Sequence, residues 1–177
     1  MRSKLIAISA ISASLTSIFL TLGAYIEATD VFAVVIGSIF TILPLYYKSF
    51  KASALAYLIG GVIGFLFSGF NLLSLVFPAY FTFFGIYPLI KYKLMDKNFN
   101  KIVGFIIGLL WFVAVAYGLY FYYINIMQGV LDGIPFNLQN YVIYLVGGIA
   151  IVFYVVYDRF IVVVRKVADY YLSKILK

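Results

Sequence analysis

Residues 101–124 read KIVGFIIGLLWFVAVAYGLYFYYI, one lysine followed by an uncharged run from Ile102 to Ile124. Coiled as an α-helix, that run is about 34 Å long, enough to cross a hydrocarbon core roughly 30 Å thick. Similar runs recur on both sides of it: Leu5 to Ile26, Val31 to Tyr47, Ala52 to Phe70, Leu72 to Leu94 and Tyr141 to Val164. Of the 177 residues, 66% are hydrophobic and 11% charged, against roughly half and a quarter in an ordinary soluble domain. A water-soluble core cannot absorb that much apolar surface, so the expected fold is all-α, a polytopic membrane helical bundle.

The polar residues between the runs set the expected topology. Connections alternate in character: Glu27 to Asp30, then Lys48 to Lys51, a tight turn at Gly69 to Asn71, Lys91 to Lys101, and a longer polar stretch from Asn125 to Asn140. With six transmembrane helices, parity puts all thirteen lysines and arginines on one side. Positive charge marks the cytoplasm, so both termini are expected inside (N-in/C-in). Glu27, Asp30 and Asp132 then fall outside with no basic residue near them. Losing or merging one span would scatter the lysines over both faces. The short connections make residues 1–177 a single integral membrane domain.

Arg2 and Lys4 ahead of the first run resemble a secretory signal, but the run is too long and lacks a small-residue cleavage pattern. It is expected to be a mature helix. Residues 165–177 alternate charge with Val167, Tyr170, Tyr171, Leu172, Ile175 and Leu176, which suits a cytoplasmic amphipathic tail, either extending the last helix or lying along the headgroups. Asp158-Arg159 reads as a local pair near the inner boundary. Pro78 falls in the fourth run, as an early-turn residue or as a kink.

Chemistry-bearing residues are few. The chain has no cysteine and no histidine, which excludes disulfides, thiolate metal sites, the commonest transition-metal ligand and a Ser-His-Asp set. No phosphate-binding glycine loop is present. No carboxylate sits clearly in the middle of a run, where an ion-coupled pump would need one. An enzyme is therefore not expected, nor a cofactor or a metal. A net charge of +7 divided among span ends reads as topology rather than as a nucleic-acid surface.

Two patterns remain. Ala7, Ser9, Ala10 and Ala13 begin a run of small residues on the first helix that continues through Ser14 and Ser17. Small groups three or four apart admit a close helix neighbour, from the same bundle or from a partner. On the outer side, Tyr25, Glu27, Asp30, Asn71, Asn125 and Asp132 gather acids and amides beside aromatics. Singly, such tyrosines serve as interfacial anchors. As a set they suit a small neutral or cationic ligand, because an anion would lack its counter-charge.

Residues 4–14 (KLIAISAISAS), the Leu43-Pro44-Leu45 turn and residues 51–64 (KASALAYLIGGVIG), on six runs in under 200 residues, resemble the substrate-binding S-component of an energy-coupling factor (ECF) importer. The resemblance implies a bacterial or archaeal cell membrane, surrounding membrane lipid, and capture of a vitamin-like micronutrient at the outer face. It also implies docking of Ala7, Ser9, Ala10 and Ala13 on a membrane coupling subunit driven by paired ATPases. The Glu27 to Asp30 loop is shorter than that family's lid. The alternatives are a non-catalytic membrane scaffold or assembly protein, whose bundle would be filled to its outer mouth, and a lipid-directed enzyme using Glu27, Asp30 and Asp132.

Overall fold

The computed structural model describes residues 2–71, 73–96, 100–126 and 136–175. Among the described residues seven α-helices run in chain order: α1 Arg2–Tyr25, α2 Asp30–Phe40, α3 Phe50–Phe67, α4 Val76–Ala79, α5 Tyr87–Asp96, α6 Lys101–Ile126 and α7 Phe136–Ile175. Strands are absent among the described residues. Within the described residues five stretches are helical, long and apolar enough to cross a membrane: Ser3–Tyr25, Asp30–Tyr47, Phe50–Phe67, Lys101–Ile126 and Tyr141–Tyr171. Large apolar side chains such as Ile6, Leu55, Leu110, Val152 and Val156 project outward. Apolar surface on this scale fits an integral membrane protein.

Small residues hold α1, α2 and α3 together. A Cβ on Gly60 would meet Thr16 Cβ at 2.8 Å and the Ala13 carbonyl oxygen at 3.0 Å, and one on Gly64 would meet the Ser17 carbonyl oxygen at 3.2 Å. The backbones of α1 and α3 therefore approach closely and run parallel, as small-residue packing allows. The antiparallel α2 is tied in by hydroxyls: Ser12 donates to the Phe40 carbonyl, Thr16 to the Gly37 carbonyl at 3.0 Å, and Ser53 of α3 to the Thr41 carbonyl. Each hydroxyl finds a backbone acceptor where water cannot supply one.

Turns between these helices follow their residues. Past Phe40 the second run bends into a 3-10 helix, Leu43–Tyr47, with Pro44 near its start where no amide partner is lost. Lys48 has φ 55°, and Ser49 caps α3 by accepting from the Ala52 amide at 3.3 Å. At the other end Gly69 and Phe70 take φ 68° and 59°, reversing the chain in the turn expected there.

The fourth run, Leu72 to Leu94, is not one regular helix. It forms α4, a π-helical turn at Tyr80–Phe84 and then α5. The Gly85 amide reaches back to the Tyr80 carbonyl at 2.9 Å across this wider turn. Pro78 lies within α4, in the first turn, where its missing donor costs little. The segment is also the core: Val76, Phe77, Tyr80, Phe83, Tyr87 and Leu89 are each at most 3% exposed. Around it α6 and α7 form an antiparallel pair, Tyr154 meeting Phe105 and Gly108 while Tyr117 meets Ile143 and Gly147.

Two sequence expectations are resolved. Beyond Val164 the last helix continues without a break to Ile175, so the described part of the amphipathic tail extends α7. Asp158 does not pair locally with Arg159; its carboxylate turns inward to Lys91 of α5 at 2.6 Å. Adjacent residues on a helix point about 100° apart, so a buried Asp158 and an exposed Arg159 cannot share one environment.

Candidate functional site

At the end of the bundle away from the lysine-bearing connections, the first turns of α2 and α4 stand apart from the facing stretches of α6 and α7. Between them lies a cavity of about 430 Å³, within the roughly 300–1,000 Å³ usual for small-molecule sites. Val34, Val76, Ala79, Ala116 and Ala150 line its wall, and Tyr120 and Tyr123 stand on the last turns of α6. Asp30, the first residue of α2, is the sole charged side chain among the described residues that line it. Its Oδ1 accepts from the Val31 amide at 2.9 Å, and the helix start favours a carboxylate there.

Three phenylalanines close the cavity toward the bundle interior. Phe84, Phe112 and Phe153 all line it. Their ring centroids are 5.8 Å (Phe84–Phe112), 5.9 Å (Phe112–Phe153) and 6.0 Å (Phe84–Phe153) apart. The first and third contacts are edge-on and the second is stacked, both favourable for aromatic quadrupoles. Tyr157 supports this floor from below, its ring 5.1 Å from Phe84 and its hydroxyl donating to the Phe84 carbonyl at 3.2 Å. The same hydroxyl sits 2.9 Å from Ser38 Oγ of α2.

Deeper still, aromatic packing gives way to a polar network. Asp158 is 4% exposed; its Oδ1 receives Lys91 Nζ at 2.6 Å and the Tyr87 hydroxyl. The Tyr87 and Tyr154 hydroxyls are 3.0 Å apart, and Tyr154 donates to the Phe105 carbonyl at 3.0 Å. One carboxylate thereby joins α5 and α7 directly and α6 through Tyr154. An ion pair held in an apolar setting needs hydrogen bonds of this kind to offset its lost hydration. The sequence carries a faint trace of this network. Each partner follows a tyrosine by one helical turn, Tyr87 before Lys91 and Tyr154 before Asp158, but nothing local says that the turns face each other.

The expected outer-face residues take different places. Asp30 lines the cavity; Tyr25, Asn71 and Asn125 are not among its lining residues. Tyr25 is 65% exposed and donates to the Phe67 carbonyl at 3.0 Å. Asn71 bonds the Ala24 carbonyl and accepts from the amides of Leu73 and Ser74, which fixes the turn before α4. Asn125 bonds back to the Phe121 carbonyl at 2.8 Å. The backbone of Glu27 begins a 3-10 turn, Glu27–Thr29, while its side chain lies outside the described residues, as does all of Asp132.

The small-residue stripe divides between two surroundings. Ala13 and Ser17 pack into the α1–α3 contact, whereas Ala7 and Ala10 remain exposed and Ser9 half-buried. Ser9, Ala10, Ala13 and Ser14 form one wall of an open groove whose other wall is Ala52, Ala56 and Ile59 of α3. Among the described residues no cluster of three or more carboxylates, histidines or cysteines could hold a metal. No family model, curated protein or solved structure matches the chain.

Proposed function

We propose that this protein is the substrate-binding membrane subunit of an ECF-type importer, taking a small neutral or cationic compound into the cavity beside Asp30. The observation that carries the reading is the cavity itself: a space of about 430 Å³ with Phe84, Phe112 and Phe153 in its lining. A scaffold whose side chains serve only packing would fill that space. The groove beside Ala10 and Ser14 lies on a different face, leaving room for a coupling subunit to dock without entering the cavity.

In this reading the broken segment 76–96 is the sixth crossing. At 1.5 Å per residue it covers roughly 30 Å, and both termini then lie in the cytoplasm with every lysine and arginine. Cysteines at positions 28, 70 and 132 should react with a membrane-impermeant reagent from outside, and one at position 48 should not. Protection of any of the first three removes the outer capture face. Purified protein should retain or saturably bind a small metabolite in a screen of vitamins, amino acids and amines; a folded sample that binds none refutes the assignment. Replacing Ala10 and Ser14 with leucine should abolish association with the coupling subunit while sparing ligand binding.

A further inference from the structure

We propose that the ligand is an amphiphilic monocation, an aromatic or branched apolar body carrying one amine, with the amine against Asp30 and the body against the phenylalanine floor. This deepens the substrate-binding reading and rests on it.

The lining decides the chemistry. A compound with many hydroxyls, amides or carboxylates would leave those groups without partners against Val34, Val76, Ala79, Ala116 and Ala150, which disfavours polar ligands strongly. An anion would face a carboxylate, and none of the described lining residues carries positive charge. A wholly apolar molecule, such as a lipid chain, fits the wall but offers Asp30 nothing. An amine joined to an apolar body satisfies both regions. A carboxylate has acceptor sites beyond the one engaged by the Val31 amide. Tyr120 and Tyr123, on the last turns of α6, also line the cavity, and aromatic rings attract cations. At the far end the floor of Phe84, Phe112 and Phe153 offers ring faces and edges to an aromatic body.

Trp111 is the sole tryptophan; it adjoins the cavity-lining Phe112 and packs 5.2 Å from Phe83, so its fluorescence reports occupancy. The intact chain in nanodiscs of zwitterionic lipid is titrated with three probes of one skeleton: 4-phenylbutylamine, 4-phenylbutanol and 4-phenylbutyrate. The amine should saturate at least about tenfold more tightly than the alcohol, with the acid weakest. Asp30→Asn should erase the preference for the amine over the alcohol. Ala150→Phe should abolish binding of both; Ala116→Leu, a milder filling of the same space, should weaken both if the larger change prevents folding.

Equal affinity for amine and alcohol, or an Asp30→Asn protein that keeps the amine preference, overturns the cation assignment while saturable binding leaves the substrate-binding reading standing. A polar metabolite that binds saturably and is not displaced by the amine has the same consequence. A bilayer lipid retained in the cavity by native mass spectrometry, undisplaced by the amine, also overturns it. No saturable binding by any probe or metabolite removes both readings together.

Discussion

The α1–α3 layer and the layer formed by segment 76–96 with α6 and α7 solve the same packing problem with opposite materials. In the first, glycine and alanine bring backbones together and serine and threonine hydroxyls cross to carbonyls, as at Gly60, Thr16 and Ser12. In the second, rings hold helices apart, and the gaps are closed by Phe83, Phe112, Tyr154 and Tyr157 or by the Lys91–Asp158 pair. Close backbones leave no space where α1 and α3 touch but leave a groove of about 770 Å³ beside that contact. Rings leave space wherever one fewer ring is supplied, which is where the cavity lies. The cavity and the groove thus arise from two packing chemistries.

The comparison is broken most severely at the ion pair. Asp158→Ala should leave Lys91 unpaired in an apolar setting and destabilise the fold by about 3–5 kcal/mol, seen as a large loss of thermal stability in detergent. Both side chains are well buried, at 6% and 15% exposure, so solvent screening does not reduce the effect much. Lys91→Met combined with Asp158→Leu should recover most of that loss, because two apolar groups need no compensation. If the single variant is as stable as the parent, polar bonding is not what joins α5 to α7.

Next in size comes the close helix contact. Gly60→Ala would push a methyl against Thr16 Cβ at 2.8 Å and the Ala13 carbonyl at 3.0 Å, a conflict with backbone that only helix separation relieves. The expected cost is about 1–3 kcal/mol. Gly108→Ala tests the other layer: its Cβ would meet the Tyr154 hydroxyl at 2.2 Å and the Tyr87 ring at 3.0 Å, side-chain atoms that can move if the Tyr154 bonds to Phe105 and Tyr87 are given up. A smaller loss at Gly108 than at Gly60 would sharpen the contrast; equal losses would show that the aromatic layer is as unyielding as the small-residue one.

How much of this was written in the chain depends on distance along it. Apolar runs such as Ile102 to Ile124 and the turn at Gly69 are local, and the helices fall where hydropathy and turn chemistry place them. The glycines at 60 and 64 declare close packing by their spacing alone. The fourth run hides its π turn, because Tyr80–Phe84 is as apolar as any regular helix and the wider turn answers to its neighbours. Lys91 reads as one of a cluster with Lys93, Lys97 and Lys101, and its true partner is 67 residues away. Asp30 was legible as an acid at the start of a span, but the cavity it lines is built from four separated segments. Tyr25, Asn71 and Asn125 have backbone partners that residue type could not disclose.

The smallest effects separate hydrogen bonding from shape within each layer. Thr16→Val keeps the volume against Gly60 and removes the bond to the Gly37 carbonyl; Tyr157→Phe keeps the ring under Phe84 and removes the contacts to Ser38 and the Phe84 carbonyl. Interhelical hydrogen bonds in membrane proteins contribute about 0.6 kcal/mol on average, so each change should lower stability by about 1 kcal/mol or less. Gly148→Ala sets the baseline, since a Cβ there meets nothing within 4 Å and stability should hold to within about 0.5 kcal/mol. The two hydroxyl variants differ in what they do to the cavity. Loss of the Tyr157 hydroxyl frees the floor beneath Phe84 and should shift the Trp111 fluorescence and weaken amine binding. Loss of the Thr16 hydroxyl, a full layer away, should change neither. Weaker ligand binding in Thr16→Val at unchanged stability would mean that the small-residue layer also shapes the cavity, and the division of labour between the two packings would fail.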